Sequence, residues 1–419
     1  MKQHYHVIVV GAGSSGIAAA VCASRSGCRT LLLEKNGFPG GLAVMGKIST
    51  ICGLYRNSGK ASPEFLYDGF PMEFATRMMR ADSLAGPVRM GRVAVLQTRP
   101  GVFETVADEY LASQKDLDIV YGAEALRLRM DGNRIRRIDF SADGREQQVQ
   151  AGAVIDATGT AAVCEMAGAP LLLPDETEQG PAILFSAEDA NGVLTNRTNV
   201  IRILMKIRRA ADSGDLPPGA DSIGFLPEIG GKTVTVKLNL GALVVREHGS
   251  HGENFQDKAQ EMKQQLIDFL QNNEDDFLHI QFSDEPGKIL HRAGKRAKGM
   301  YLLTREDVLS AARFPDAVTR GCWPIEKYPA SGGPRFSYLP KEAAYDIPER
   351  CLRVPGVDNL FTAGRTISAD DDAIASVRVI GCCLATGESA GNLAVRFVSQ
   401  NKEAGNMKFN PTNMITGEI

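Results

Sequence analysis

At 419 residues the chain is longer than one hydrophobic core usually supports, so two intertwined domains are expected. Its 43% hydrophobic and 23% charged residues and its formal net charge of -3 describe an ordinary globular protein and point away from nucleic acid as a partner. No apolar run approaches the roughly 18 residues of a membrane span, and the eight cysteines show neither C-x-x-C nor a metal-ligand spacing, so the simplest reading is a reduced cytoplasmic protein without a metal site.

His6 to Val10 is a short apolar, β-branched run, followed directly by Gly11-Ala12-Gly13-Ser14-Ser15-Gly16. This is G-x-G-x-x-G at the end of a strand. Gly11 permits a tight turn, Gly13 lets backbone approach a pyrophosphate, and Gly16 lets the next helix pack closely. Ile17 to Ser26 is rich in Ala and Gly27 closes it as a helix C-cap does. Thr30 to Leu33 is a second strand ending at Glu34, roughly 20 residues past the glycines, where a carboxylate accepts from ribose hydroxyls. A ribose phosphate would be repelled there, which favours FAD or NAD over NADP. The first 24 residues have the look of a secretory signal, but cleavage there would destroy the nucleotide turn.

Phe38 to Gly46 is glycine-dense, which suits close approach to a flat ligand. An acid, a short loop and G-G-x-x-x-x-G resemble the FAD-dependent oxidoreductases of the glutathione-reductase-like fold. Pro63 to Ala81 and Pro100 to Gln114 read as helices. Ile119 to Tyr121, Ala125 to Met130, Ile135 to Ser141 and Gln147 to Gln150 read as an antiparallel meander with turns at Asp131-Gly132-Asn133 and Asp143-Gly144. Ala153 to Thr160 is a buried strand running into a Gly-Thr turn, and A-T-G-x is similar to the family's second nucleotide motif. Asp156 and Thr158 there have local backbone satisfaction as their commoner fate.

The texture changes from Leu172 to about Tyr345, where Thr233 to Val245 reads as a strand and Asn254 to Asn273 as an amphipathic helix. Ile289 to Thr304 carries R-x-x-x-R-x-x-G-x-Y-x-L-T, which resembles a motif in a large, poorly characterised branch of FAD-dependent oxidoreductases. If helical, Arg292 and Arg296 share a face. They then either clamp a substrate carboxylate or pair with acids across a domain boundary. The branch places an acid after the first arginine; this chain has Ala293. Trp323, the only tryptophan, lines a pocket or fills a core.

Val357 to Ser368, the following Asp370 to Ser376 and Val377 to Gly391 make the strongest match: a strand ending in Ala-Gly, a polar loop and a long helix of small residues whose N-terminus would face the flavin. The branch has A-T-H-E-A where this chain has Ala369-Asp370-Asp371-Asp372-Ala373, so Asp371 stands where a histidine is expected. Asp371 is then a base, or proton transfer lies elsewhere, or the three aspartates cap the following helix.

The resemblance implies an α/β fold: a Rossmann-like FAD-binding domain with a parallel sheet and antiparallel β-meander, plus an inserted α+β substrate domain. The expected boundaries are 1–171 and 346–404 for FAD binding, 172–345 for substrate, and 405–419 as a terminal arm. Non-covalent FAD would be held by Gly11, Gly13, Ser14, Ser15, Gly16, Glu34, Lys35, Gly41, Leu42, Gly46, Ala123, Gly159, Gly364, Arg365, Arg378, Val379 and Ile380. Asp371, Arg292 and Arg296 are the catalytic candidates. The expected activity is hydride transfer between flavin and a small substrate, an organic acid being one option, with the electron acceptor or donor left open and a homo-oligomer compatible with the fold. Rival readings are a bound NAD, a flavin monooxygenase, whose late motif carries Gly-Asp where this chain has Gly364-Arg365, and an electron-transfer subunit without its own substrate.

Overall fold

The computed structural model describes residues 2–401 except 59–61, 248, 251, 253, 274–276, 278–279 and 331–332; the arm expected over 405–419 lies outside the described residues. The main sheet has seven strands, ordered Leu117–Tyr121, Thr30–Glu34, His4–Val10, Arg145–Asp156, Arg134–Ala142 and Glu124–Asp131, with Leu360–Thr362 also pairing Arg145–Asp156. The first four and Leu360–Thr362 run parallel; the last three form the meander. Alternation buries both faces. Val7 and Val9 enter one core, while Ile8 and Val10 enter another beneath the meander.

The helix Ser14–Arg25 follows the first strand. It ends with Gly27 at φ +79°, where the Gly27 and Cys28 amides donate back to Ser24 and Ala23, a Schellman closure.

Several sequence expectations need correction. Leu117–Tyr121 belongs to the parallel half beside Thr30–Glu34, not to the meander. The expected strands at Gln147 and Ala153 are one strand, Arg145–Asp156. Gly152 between them does not break it; it is glycine because the strand lies so close to His4–Val10 that a Cβ there would lie 2.7 Å from the His6 carbonyl. The helix expected from Pro63 begins only at Phe70, past Gly69, where the Glu388 carboxylate accepts from the Phe70 amide at 2.9 Å. A hairpin, Gly86–Met90 with Val93–Gln97, was not anticipated, although Gly91 at its turn has φ +63°.

The second sheet orders Ile223–Pro227, Thr233–Asn239, Ala182–Glu188 and Gln281–Phe282, with Lys288–Leu290 also on Ala182–Glu188, all antiparallel. Ile183, Phe185, Val234, Val236 and Leu238 bury against the helices Arg197–Ser213 and Phe255–Asn273 to make a separate core. The strand expected through Val245 stops at Asn239 and gives way to the helix Gly241–Arg246. The chain turns where Gly241 passes so close to Ala330 that a Cβ would lie 2.7 Å from its Cα. Residues from Leu303 to Ile347 pack with the first core instead.

Among the described residues no single helix is long and apolar enough to cross a membrane. The helices Asp371–Val377 and Ile380–Gln400 would pass together but meet at 94° and are largely buried in the first core.

Candidate functional site

The phosphate turn is built on forced glycines. Gly11 has φ +101° and a Cβ there would lie 2.5 Å from the Ala157 carbonyl; at Gly16 it would lie 1.7 Å from the Gly11 carbonyl. Gly13 differs: a Cβ there meets nothing within 4 Å. Gly13 is also the N-cap of Ser14–Arg25 with no side-chain cap, so the helix N-terminus is presented to open space, as an anion requires. The second glycine loop is stitched to this turn by the Gly40 amide on the Ala12 carbonyl at 2.7 Å. Gly41, at φ +51°, lies against the Gly13 Cα; Leu42 opens the short helix that Gly46 closes.

Glu34 is 4% exposed. One of its oxygens accepts from the Ala12 amide at 2.6 Å, the other from the Asn36 amide and side chain at 2.8 and 2.6 Å. A carboxylate offers about four lone-pair sites, so one acceptor direction remains beyond these three. The Ala123 amide donates to the Glu34 carbonyl at 2.9 Å, which brings the meander to the same edge, where Lys35 is exposed.

Asp156 accepts from the Thr158 amide and hydroxyl and from the Cys164 amide, the local satisfaction expected of it. Gly159, at φ +74°, is pressed by Arg365, whose guanidinium would lie 2.4 Å from a Cβ there. Arg365 donates to the His291 carbonyl at 2.9 Å, and burial lowers its pKa from the usual guanidinium value.

The late segment closes on the early one. The Ala363 amide donates to the Asp156 carbonyl, Gly364 has φ +68°, and a Cβ on it would lie 2.5 Å from the Ser15 hydroxyl. The helix Ile380–Gln400 starts at Val379 without a side-chain cap, and Ile380 is its first residue. Its small residues serve helix packing. A Cβ on Gly387 would lie 2.1 Å from the Ser15 carbonyl and one on Gly391 2.8 Å from the Ala19 carbonyl, so they let this helix pack on Ser14–Arg25.

The arginine clamp is not formed. Ile289 to Thr304 is extended, with short strands Lys288–Leu290 and Arg296–Ala297, because one side pairs with Ala182–Leu184 and the other with Leu171–Leu172. Gly294 between them abuts the Gly159 carbonyl. Arg296, 1% exposed, donates to the Ala369 carbonyl at 2.9 Å and to Asp371 at 2.8 Å, the ion-pair alternative. The aspartates divide their work: Asp370 caps Asp371–Val377 through the Asp372 and Ala373 amides, Asp371 pairs with Arg296, and Asp372 with Lys327 and Arg305.

Arg292 points elsewhere, into a cluster that sequence reasoning did not assemble. It donates to the Gly180 carbonyl and Asn239, and its guanidinium stacks 3.9 Å from the Tyr328 ring centroid. Lys237 lies 4.4 Å and Arg378 5.8 Å from the same ring. The Glu326 carboxylate is taken by neutral donors, Trp323 at 2.9 Å and the Tyr328 hydroxyl, while Arg378 donates to its backbone carbonyl at 3.1 Å. Trp323 is therefore a core residue that positions Glu326.

Burial, then the charge of Arg292, pushes Lys237 down to about 7. Burial, with Arg378 adding to it, lowers Arg292 to about 10. Burial works to raise Glu326, but the Arg378 charge, the Tyr328 and Trp323 bonds and Lys237 prevail and hold it low. The only local signal was the i, i+2 spacing of Lys237 with Asn239 and of Glu326 with Tyr328, which places each pair on one face of extended chain.

All eight cysteines are free, Cys382 and Cys383 inside the late helix, and no group of His, Cys, Asp or Glu among the described residues could hold a metal. The forced turn, the open space at Gly13 and the two helix starts without side-chain caps fit an adenine dinucleotide carrying a redox ring.

Two curated proteins match short stretches. The sarcosine oxidase alpha subunit of Rhizobium meliloti (strain 1021) is 37% identical over 65 residues, 16% of this chain and 6% of that protein. Thioredoxin reductase of Ureaplasma parvum serovar 3 is 39% identical over 67 residues, 16% of this chain and 20% of that protein. The chain thus matches only a small part of either relative. A triple mutant of the flavin-dependent brominase Bmp2 shares the fold, with a TM-score of 0.50 and 12% identity over 98% of this chain and 83% of that one. The profile of the family described as FAD dependent oxidoreductase matches residues 6–412, essentially the whole sequence, and the chain belongs to that family.

Proposed function

We propose that this chain holds FAD non-covalently and exchanges a hydride with a small organic substrate seated between the nucleotide domain and the second sheet, with 172–345 as the substrate-binding part. The wider arrangement supports a place among the glutathione-reductase-like flavoproteins. The observation that carries this reading is the orientation of the second sheet. Its Val234, Val236 and Leu238 face goes to its own helices, while Lys237 and Asn239 on the opposite face meet Arg292 and Tyr328, beside Arg378 at the start of the late helix.

Bound FAD supplies the redox chemistry. Around it, Gly13 and the turn amides hold phosphate, Glu34 orients ribose, and Ala123, Gly159 and Arg365 flank the dinucleotide. The Val379–Ile380 helix start favours negative charge on the ring. Arg292 and Arg378 orient the substrate. Asp371 remains the candidate base, acting through the oxygen that Arg296 does not hold, with Arg296 as its positioning residue.

Acid precipitation of purified protein should release FAD into the supernatant, and anaerobic addition of amino, hydroxy or unsaturated acids should bleach or restore the flavin absorbance. Flavin that stays with the pellet overturns non-covalent binding. Flavin that responds to no acid, alcohol or amine but only to a protein partner overturns the hydride reading.

A further inference from the structure

We propose that Arg292, Arg378 and Lys237, gathered around the Tyr328 ring, are the anion-binding wall of the substrate site, and that the group they receive is a carboxylate. The inference deepens the reading above and rests on it only in taking the bound anion to be the substrate.

The argument begins with charge. Three cations face one carboxylate, Glu326, and that carboxylate is already occupied by the Trp323 and Tyr328 donors. None of the three cations has a carboxylate within ion-pair distance among the described residues. A charge taken out of water without a partner costs several kcal/mol, so an arrangement of this kind is stabilised by an anion from outside.

The donors say where that anion goes. Arg292 is 8% exposed, one terminal nitrogen is held by Gly180 and Asn239, and the other, Nη2, is buried without a partner. Arg378 Nε is buried and unpartnered as well. Among the described residues the Lys237 ammonium makes no hydrogen bond or ion pair; it rests on the Tyr328 face, and Lys237 remains partly exposed, so the wall is not sealed from solvent.

Two guanidinium N–H groups and one ammonium suit the two planar oxygens of a carboxylate. They come from three separate elements: the stretch after Lys288–Leu290, the end of Asp371–Val377, and the strand Thr233–Asn239. The site therefore exists only when the second sheet is assembled against the late helices.

A pH dependence follows. The groups facing Lys237 are Arg292, Arg378, Glu326, Tyr328 and Cys52. With Lys237 near 7, an incoming anion favours its ammonium form and binding takes up a proton at neutral pH and above. Affinity falls by up to about tenfold per pH unit above that point.

The test uses the full-length FAD-loaded protein, titrated with butanoate, butanamide and inorganic phosphate between pH 6 and 9. Flavin difference absorbance is followed, together with calorimetry in buffers of different ionisation heat. Butanoate should bind at least about tenfold tighter than butanamide, with proton uptake above pH 7. Lys237→Met should remove the pH slope at unchanged FAD content, and Arg292→Lys should weaken butanoate about tenfold or more without touching butanamide.

Butanoate binding no tighter than butanamide, phosphate binding tighter than butanoate, or a pH slope that survives Lys237→Met would each overturn the proposal. Butanoate binding as expected while no organic acid exchanges electrons with the flavin leaves the anion wall standing and removes the hydride reading. Bleaching by neutral substrates only, with no butanoate binding, removes the wall alone.

Discussion

Gly13 and Gly16 lie three residues apart in one turn and answer to different constraints. Gly16 is forced by the chain itself, since a Cβ would sit 1.7 Å from the Gly11 carbonyl, whereas Gly13 faces open space. Gly16→Ala is expected to cost about 3 kcal/mol or more of folding stability, read by denaturant unfolding of the apoprotein. Gly13→Ala should leave apoprotein unfolding within about 0.5 kcal/mol while weakening FAD about tenfold or more. Unchanged FAD affinity in Gly13→Ala would show that the pyrophosphate lies elsewhere.

Lys237 gives the opposite trade. Its pKa falls from 10.5 toward about 7 on folding, chiefly by burial, so between those values the unfolded chain holds the extra proton and stability rises with pH. Lys237→Met is therefore expected to raise the melting temperature most at pH 7 and below, and the gain should shrink steadily toward pH 10.5. A gain independent of pH would mean that packing, not charge, limits this position. The turn glycines and Glu34 were legible because local geometry demands them. Lys237 and Tyr328 were not, because nothing within a few residues of either shows which distant arginines it meets.

Among the elements, the late segment is held by one buried side chain as much as by its strand. Asn359, 1% exposed, accepts from the Ile135 amide at 2.8 Å and donates to the Ile135 and Gly152 carbonyls at 2.8 and 3.0 Å. Asn359→Leu orphans the two buried Ile135 backbone groups and the part-buried Gly152 carbonyl and should destabilise by about 2–4 kcal/mol, measured by thermal unfolding. A loss below about 1 kcal/mol would mean that water replaces the side chain.

The first strand, its helix and the second strand were legible because Ala content, β-branching and Gly27 agree with the final structure. Elements set by contacts from elsewhere were not. The helix from Phe70 is started by Glu388 from the other end of the chain. The Arg292 to Arg296 stretch is extended because strands from two different sheets claim its two ends.

At the scale of the whole molecule there are two packing units on one chain, the main sheet with the cores on its two faces and the second sheet with its own. The first takes residues from both ends of the sequence, and the second is confined to residues between Ile183 and Ile280, with Ile289 packed beside it. Denaturation should show two transitions, and added FAD should delay the nucleotide-domain transition more than the other. One transition that shifts as a unit with FAD would show that the cores unfold together.

The strand Arg145–Asp156 carries a last consequence. Its far end is flanked on one side by His4–Val10 and on the other by Leu360–Thr362. During synthesis that second side stays empty until Leu360–Thr362 has been made, leaving an unpaired edge at Val154 and Ile155. The main sheet is consequently completed only after the whole intervening second sheet has been made, and a chain stalled before Leu360 would keep an open edge prone to non-native pairing.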